Sequence, residues 1–455
     1  MIKWKKNETG EKAMKEFTAD VCVLGMGSGG FAAAYTLLCG GLTVIAADKN
    51  PGPGGTSVFA GVNCWEPGVA SGRVHRLLAD RLLSEENAAA VSRTVPNARL
   101  FDPASSENSF EKYPWGLSVP DKEADYESTL KRCLLFTGGE QSAYRRFQFD
   151  PEAMTNAMER LLEPFRERFR AFYGAVFDAA EIENDLIRAV ILRNEGEKLR
   201  VRARYFIDAT GDIVLARAAG CGYAIGAEAK ETYNEQSAPE KADPDKLNGV
   251  SYVFTVSQKG ESPYETGTST DAPRAVSCFN RCPNGDINVN MLPTFTGRAY
   301  RALGEKADEA GRKMIFAYWN RLKKEIPALE SWHIARIFPQ AGVRESYRLI
   351  GKYVLTENEI RNGLPAGMKI AAIADHPMDV HGEDGGLREL PKPYEIPLEC
   401  LLTKEFENLL VACRGASFSH IAASSARLSR TMLALGEAAG EEIIRRVKTE
   451  KLTEE

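Results

Sequence analysis

The stretch Asp20-Val-Cys-Val-Leu-Gly25-Met-Gly27-Ser-Gly-Gly30 constrains the fold more than any other part of the chain. An apolar run ends in Gly25-x-Gly27-x-x-Gly30, and residues 31–38 read on as an alanine-rich helix. A second apolar run, Thr43-Val-Ile-Ala-Ala47, ends in Asp48. Strand, glycine turn, helix, strand, acid is the order that a dinucleotide-binding unit requires. Gly25 permits the tight turn, Gly27 lets backbone approach a pyrophosphate, and Gly30 lets the helix pack closely on the sheet. Free N–H groups at the helix start face the phosphates. Asp48 is placed to accept hydrogen bonds from a ribose. Lys49 behind it leaves both a 2′-hydroxyl and a 2′-phosphate open. A glycine turn alone is only a strand-to-helix connection; the acid at the end of the second strand makes the nucleotide reading.

The 455 residues suit two or three domains, and 44% hydrophobic residues suffice for a substantial core. A net charge of −5 argues against a nucleic-acid footprint. The arginines of 160–170 alternate with Glu163 and Glu167 over a stripe of Leu161, Leu162, Phe165, Phe169 and Phe172, which reads as a solvated helix face over core. No run reaches membrane-spanning length, and no apolar signal core follows the basic start, so the expectation is a cytoplasmic chain with a loose leader up to Phe17. Nine scattered cysteines form no framework and are expected to be reduced thiols. Cys278 and Cys282 are the one close pair, without the partners a metal site needs; a redox pair is the alternative to two separate thiols.

Further along, residues 73–91 read as a charged helical stretch, and 90–145 as an insertion without an assignable role. A helix starts at Asp150-Pro151. A strand follows at Phe172–Phe177, and 186–192 with 199–205 alternate as a small antiparallel meander. Residues 230–248 read as a linker, and 249–300 as a sheet covering a ligand. A helix spans 299–324, and a strand and a helix lie within 334–361. Another strand and a long small-residue helix fill 408–447.

Three segments join the fingerprint: Gly52-Pro-Gly-Gly-Thr-Ser57, Ile207-Asp-Ala-Thr-Gly-Asp212, and Asn408-Leu-Leu-Val-Ala-Cys-Arg-Gly-Ala-Ser417 running into Ser419-His420 and the helix beyond Arg427. Each alone is modest: a turn, a strand end, a strand feeding a helix. In this order and spacing, with residues 342–356, 375–381 and 396–397, they resemble the FAD-dependent oxidoreductases of the glutathione-reductase-type fold, near the fumarate reductase flavoproteins. The resemblance covers most of the chain and names no substrate.

It implies an α/β fold. A Rossmann-like, three-layer FAD-binding domain would carry a parallel sheet and a small antiparallel meander, beside a second α+β substrate or cap domain. The FAD-binding domain would take residues 18–80, 146–230 and 334–447, with 81–145 as an insertion or cap part and 231–333 as the substrate domain. The cofactor would be FAD. Gly25, Gly27, Ser28, Gly29 and Gly30 would hold its pyrophosphate, and Asp48, with Lys49 beside it, its ribose. Gly55, Thr56 and Ser57 would line the phosphate and ribityl part, and Val176 would contact adenine through backbone. Ala209, Thr210, Gly211 and Asp212 would flank the adenosine side. Arg414 and Met432 belong to the segment expected to bring a helix start to the flavin ring, and Asn63 is a further flavin contact. Cys64 beside it reads as a packed thiol or, alternatively, a covalent flavin link. Two departures stand out: Cys413 and Asp48 replace the family's usual Gly and Glu.

His420 is the first candidate for proton transfer or substrate orientation, or else only hydrogen-bonds flavin or backbone. Asp379 and His381 form either a second polar cluster over the flavin or a surface loop. Arg344 and Arg427 either bind an anion or make structural ion pairs. No metal, nucleic acid or membrane enters this reading. The expected activity is hydride transfer between a small-molecule substrate and flavin N5, with an unknown electron donor or acceptor. An NAD(P)-dependent dehydrogenase and a protein with non-redox FAD are the alternatives.

Overall fold

The computed structural model describes residues 14–95, 117–131, 145–272, 276–381 and 386–454. Strand Lys15–Leu24 leads into helix Ser28–Cys39 and on to strand Val44–Asp48. Four parallel strands lie in the order Phe169–Tyr173, Val44–Asp48, Lys15–Leu24, Glu197–Asp208, and Leu409–Val411 adds to the last of them, also in parallel. Strand side chains alternate between faces. Val21, Val23, Val44 and Ala46 pack with helix Ser28–Cys39 and helix Ser429–Glu454. Cys22, Leu24, Ile45 and Ala47 pack against Val190, Leu192 and Val201 of the meander. Helices, parallel sheet and meander therefore form three layers.

Strand Glu197–Asp208 belongs to two of these layers. Its first half pairs antiparallel with Leu186–Asn194, which pairs with Val176–Glu183. Its end pairs in parallel with Leu409–Val411. The expected single strand at Phe172–Phe177 is in fact two. Gly174, at φ +72°, turns the chain out of the parallel sheet and into the meander, its N–H donating to Asn50 O at 3.0 Å. The start at Lys15 also shortens the expected leader, whose residues 1–13 lie outside the described ones.

A second sheet has eight strands in the order His333–Ile337, Val253–Ser257, Ile287–Leu292, Val276–Arg281, Leu117–Pro120, Ala89–Val95, Arg145–Phe149, Cys64–Trp65. Residues expected to be an insertion thus share a sheet with residues 249–300. Within 73–91 only Val74–Leu83 is helical, and the strand begins at Ala89. The Tyr113–Gly116 stretch lies outside the described residues. Helix Ala307–Glu325 covers one face of this sheet through Ile315, Trp319 and Leu322 against Phe254, Val289 and Met291. The helix expected over 299–324 is broken: Gly297–Leu303 ends at Gly304, whose φ of +51° leaves the helical region.

Residues 230–248 are packed rather than a linker. Glu235 and Asn248 are buried; Asn248 donates to Glu345 Oε2, and Glu235 accepts from the Ser419 hydroxyl. Their polar groups find buried partners, which a solvated linker lacks. The helix at Pro151–Leu162 starts as expected. Asp150 caps it by accepting from the N–H groups of Glu152 and Ala153, an arrangement worth about 1 kcal/mol.

Candidate functional site

A cavity of about 1080 Å³ opens between the two sheets. That is slightly above the roughly 300–1,000 Å³ of single small-molecule sites. At one end lie Gly25, Gly27, Ser28, Gly29, Asp48 and Lys49; Gly55, Thr56, Val176 and residues 209–212 continue the wall. The backbone there is bare for a reason. A Cβ on Gly25 would sit 2.6 Å from Ala209 O, and one on Gly55 would sit 2.7 Å from Gly27 Cα. The two glycine loops face each other at a distance no side chain tolerates, which leaves a cradle of main-chain groups for a phosphate. Asp48 closes the cradle. Its Oδ2 accepts from Met26 N–H at 2.6 Å and its Oδ1 from Asn50 N–H at 2.8 Å, with lone pairs left for a diol. Burial raises its carboxyl above the ordinary value, and these two N–H groups limit the rise. The shorter acid is thus held from behind by backbone. These residues fit FAD.

Gly30 and Ser57 do not line the cavity. A Cβ on Gly30 would meet Gly25 O at 1.7 Å, so Gly30 closes the turn rather than facing a ligand. Ser57 is buried beneath the loop, its Oγ 3.4 Å from Ser429 Oγ. Arg414 lies over Gly211, where a Cβ would come within 2.4 Å of its Nη1, and it pairs with Asp212 at 3.2 Å. Met432, Asn63 and Cys64 line the cavity too. Asn63 Nδ2 donates to Phe149 O at 3.0 Å, and its buried Oδ1 has no partner among the described residues. Cys413 is accommodated under its turn, with Sγ accepting from Gly415 N–H at 3.3 Å. The eight cysteines among the described residues, Cys278 and Cys282 included, are free thiols. Among the described residues no group of histidines, cysteines and acids is arranged to hold a metal.

At the other end the cavity gathers Arg344, Asp379, His381 and Arg427, with His376 beside them. His381 Nε2 lies 2.6 Å from Asp379 Oδ2, and the Arg427 guanidinium reaches the same oxygen at 3.4 Å. Burial alone would raise the Asp379 carboxyl; the His381 hydrogen bond and Arg427 outweigh it and hold the group well below the usual range. Burial and the Arg344 charge push His381 down to about 4, against the pull of Asp379. At neutral pH the acid is ionised and the imidazole is not. Its one proton sits on Nε2, donated to Asp379, which leaves Nδ1 as an acceptor. Arg344 donates to Gly249 O at 2.8 Å and Ser251 Oγ at 2.9 Å, and makes no ion pair among the described residues. Burial and Arg427 push its guanidinium down to about 9.

His420 is not in this group. It opens helix His420–Ala426 and is 2% exposed. Its Nδ1 sits 2.9 Å from Glu345 Oε2, within a buried cluster where Arg348 pairs with both Glu345 and Glu228. Burial would raise Glu345; the charges of His420 and Arg348 reverse that and lower it. The cluster anchors its neighbourhood: Asn248 donates to Glu345, and Asn248 Oδ1 accepts from His381 N–H at 3.0 Å. His420 thus braces the segment that carries His381.

His376, in a motif expected near the ring, lines the cavity without having been assigned a role; the lining residues that escaped the sequence reading are Arg146, Cys278, and the row Asn280, Asn288 and Asn290. The row was visible as alternation in Ile287–Leu292. What was missing is that the apolar face packs under helix Ala307–Glu325, so the amide face looks into the cavity.

The sequence profile of the family described as "FAD dependent oxidoreductase" matches residues 20–454. A curated relative, 3-oxosteroid 1-dehydrogenase from Rhodococcus opacus, is 40% identical over 58 residues, a match spanning 12% of this chain and 11% of that protein. Among solved structures, a geranylgeranyl bacteriochlorophyll reductase-like protein from Thermoplasma acidophilum superposes with a TM-score of 0.50 at 12% identity, covering 96% of this chain and 80% of that one. It shares the fold. L-Amino acid deaminase from Proteus myxofaciens gives a TM-score of 0.41 at 13% identity over 95% of this chain and 90% of its own. No helix among the described residues is long and apolar enough to cross a membrane. By the match over residues 20–454, the chain is a member of the FAD-dependent oxidoreductase family, and FAD is its cofactor.

Proposed function

We propose that the enzyme exchanges a hydride between a small-molecule substrate and N5 of its FAD, with His381 carrying the accompanying proton. The observation that carries this reading is the Asp379–His381 pair at 2.6 Å, which opens on the same cavity as the glycine cradle. In this reading Gly25, Gly27, Ser28 and Gly29 hold the pyrophosphate, Asp48 holds the adenosine ribose, and Thr210, Asp212 and Arg414 border the adenosine side. Residues 18–80, 146–230 and 334–447 serve the cofactor, and the second sheet covers the substrate.

Bound FAD supplies the two-electron acceptor or donor. The chain's residues do the rest. His381 Nδ1 takes a proton from a substrate hydroxyl or amine, or returns one in the reverse direction. Asp379 fixes the tautomer and steadies the imidazolium that forms, the role a buried carboxylate plays behind a catalytic histidine. Arg344 and Arg427 put positive charge where an oxygen that loses its proton becomes negative. The test is anaerobic mixing of the FAD-loaded enzyme with a panel of candidate substrates, followed by absorbance. With any substrate that reduces it, His381→Gln should slow reduction about 100-fold or more at neutral pH, with FAD content unchanged. Equal rates would remove His381 from the reaction.

A further inference from the structure

The second-sheet wall of the cavity is built for a particular chemistry. Strands Val276–Arg281 and Ile287–Leu292 pair so that Cys278 faces Asn290 and Asn280 faces Asn288. Directly opposed residues share a face. Phe279, Ile287, Val289 and Met291 point the other way, into the core under helix Ala307–Glu325. Three asparagines therefore line the cavity where an interior sheet would ordinarily place apolar side chains. Asn288 Nδ2 is used by the protein, donating to Gly61 O at 3.1 Å. Among the described residues the Oδ1 atoms of Asn280 and Asn290 find no donor, and Asn280 is 3% exposed. A buried amide without its hydrogen bond is costly, and such groups are ordinarily completed by a partner.

Arg344 stands at the end of this row. Its Nη1 donates to Ser251 Oγ, two residues before Val253, which pairs with Asn290. Its hydrogen-bond partners among the described residues are neutral oxygens, and the nearby Asp379 carboxylate is shared with Arg427, so the two arginines keep an excess of positive charge that an anion would complement. The unpaired amide oxygens call for donors. Arg344 and Arg427 oppose a cationic donor such as an ammonium, which leaves hydroxyls. A hydroxyl also both donates and accepts, as a row of amides demands.

We propose that this end of the cavity is a subsite for a hydroxylated carboxylate, its carboxylate on Arg344 and its hydroxyls along Asn280, Asn288 and Asn290. The proposal rests on the cavity being the substrate site of the FAD enzyme. It places one hydroxyl-bearing carbon chain beside His381, the group read above as the proton carrier.

The test is equilibrium binding to the FAD-loaded protein, by calorimetry, of three probes of similar length. D-Gluconate carries both features, sorbitol only the hydroxyls, and hexanoate only the charge. Gluconate should bind about tenfold or more tighter than either. Arg344→Gln should bring gluconate to the level of sorbitol. Asn280→Ala should bring it toward hexanoate, and Asn290→Ala, at the less buried position, should do the same if the first variant fails to fold. FAD content reports the fold of each variant. Hexanoate or sorbitol binding as tightly as gluconate, or no binding by any probe, overturns the proposal. A purified protein that neither holds nor takes up FAD would instead sink the reading on which it rests.

Discussion

The crossing of helix Ser28–Cys39 with helix Ser429–Glu454 gives a sharp prediction, because it links packing to the cofactor cradle. A Cβ on Gly436 would lie 2.0 Å from Gly29 O and 2.8 Å from Gly29 C. Ordinary contacts of this kind lie at about 3.5 Å, so Gly436→Ala must separate the helices by roughly 1.5 Å. The obstacle is backbone, so no rotamer change relieves it. Overpacking costs about 1–3 kcal/mol, here at the upper end, while Ala in place of a helical Gly returns about 1 kcal/mol. The net expectation is a loss of about 2 kcal/mol. Gly440→Ala is the control. Its Cβ would meet Thr36 Cβ at 3.0 Å and Ala33 O at 3.1 Å, a crowding that small shifts relieve, so propensity and strain should nearly cancel. Because Gly29 stands in the first turn of the fingerprint helix, Gly436→Ala should also lower FAD retention, and Gly440→Ala should not. Urea denaturation and FAD content after gel filtration read both effects. Equal stability and full FAD in Gly436→Ala would refute the reasoning.

Other expectations follow from single residues. Asp48→Ala removes the carboxylate at the cradle's end and should weaken FAD binding about 10-fold or more, measured by fluorescence titration of the apoprotein. Activity that depends on neutral His381 should hold from pH 8 down to pH 5 and fall as pH approaches about 4; a half-maximum near the ordinary histidine value would contradict its environment. Stability has its own acid limb. His75 is buried, with Nδ1 2.8 Å from Tyr126 Oη and no partner on Nε2 among the described residues, and burial with nearby Arg430 pushes it down to about 4. Between about 6.5 and 4 the unfolded chain therefore binds more protons than the folded one, and stability falls as pH falls. The full shift corresponds to about 3 kcal/mol, so His75→Gln should flatten the fall in denaturation free energy across that window; an unchanged slope would sink the assignment. Asp379→Asn should cut turnover as His381→Gln does while sparing FAD content, and loss of FAD in that variant would make Asp379 a folding residue.

The parts of this architecture that the sequence disclosed are those whose physics is local. Gly25 needs its φ of +88°, Val44–Asp48 is apolar because both faces are covered, and Asp150 before Pro151 starts a helix whatever surrounds it. The second sheet depends on pairings between segments far apart, such as Phe279 with Leu117 and Trp65 with Phe147, and no local pattern encodes them. At the site, proximity in sequence misled. His420 follows a segment that the sequence reading assigned to the cofactor, but its side chain turns inward to Glu345 within the buried Arg348 cluster. Asp379 and His381 read equally well as a surface loop; the anchoring of His381 N–H by Asn248 turns them inward. The asparagine row was legible as alternation in a sheet expected to cover a ligand, but not as the lining itself, since only the packed helix tells which face is inside.

The most direct test of the whole account is the visible absorption of the purified protein, with the pigment released by denaturation and its amount per chain determined. A flavin spectrum, bleached by anaerobic reduction, and FAD recovered at about one per chain are the predicted result. A colourless protein that takes up no added FAD would contradict it.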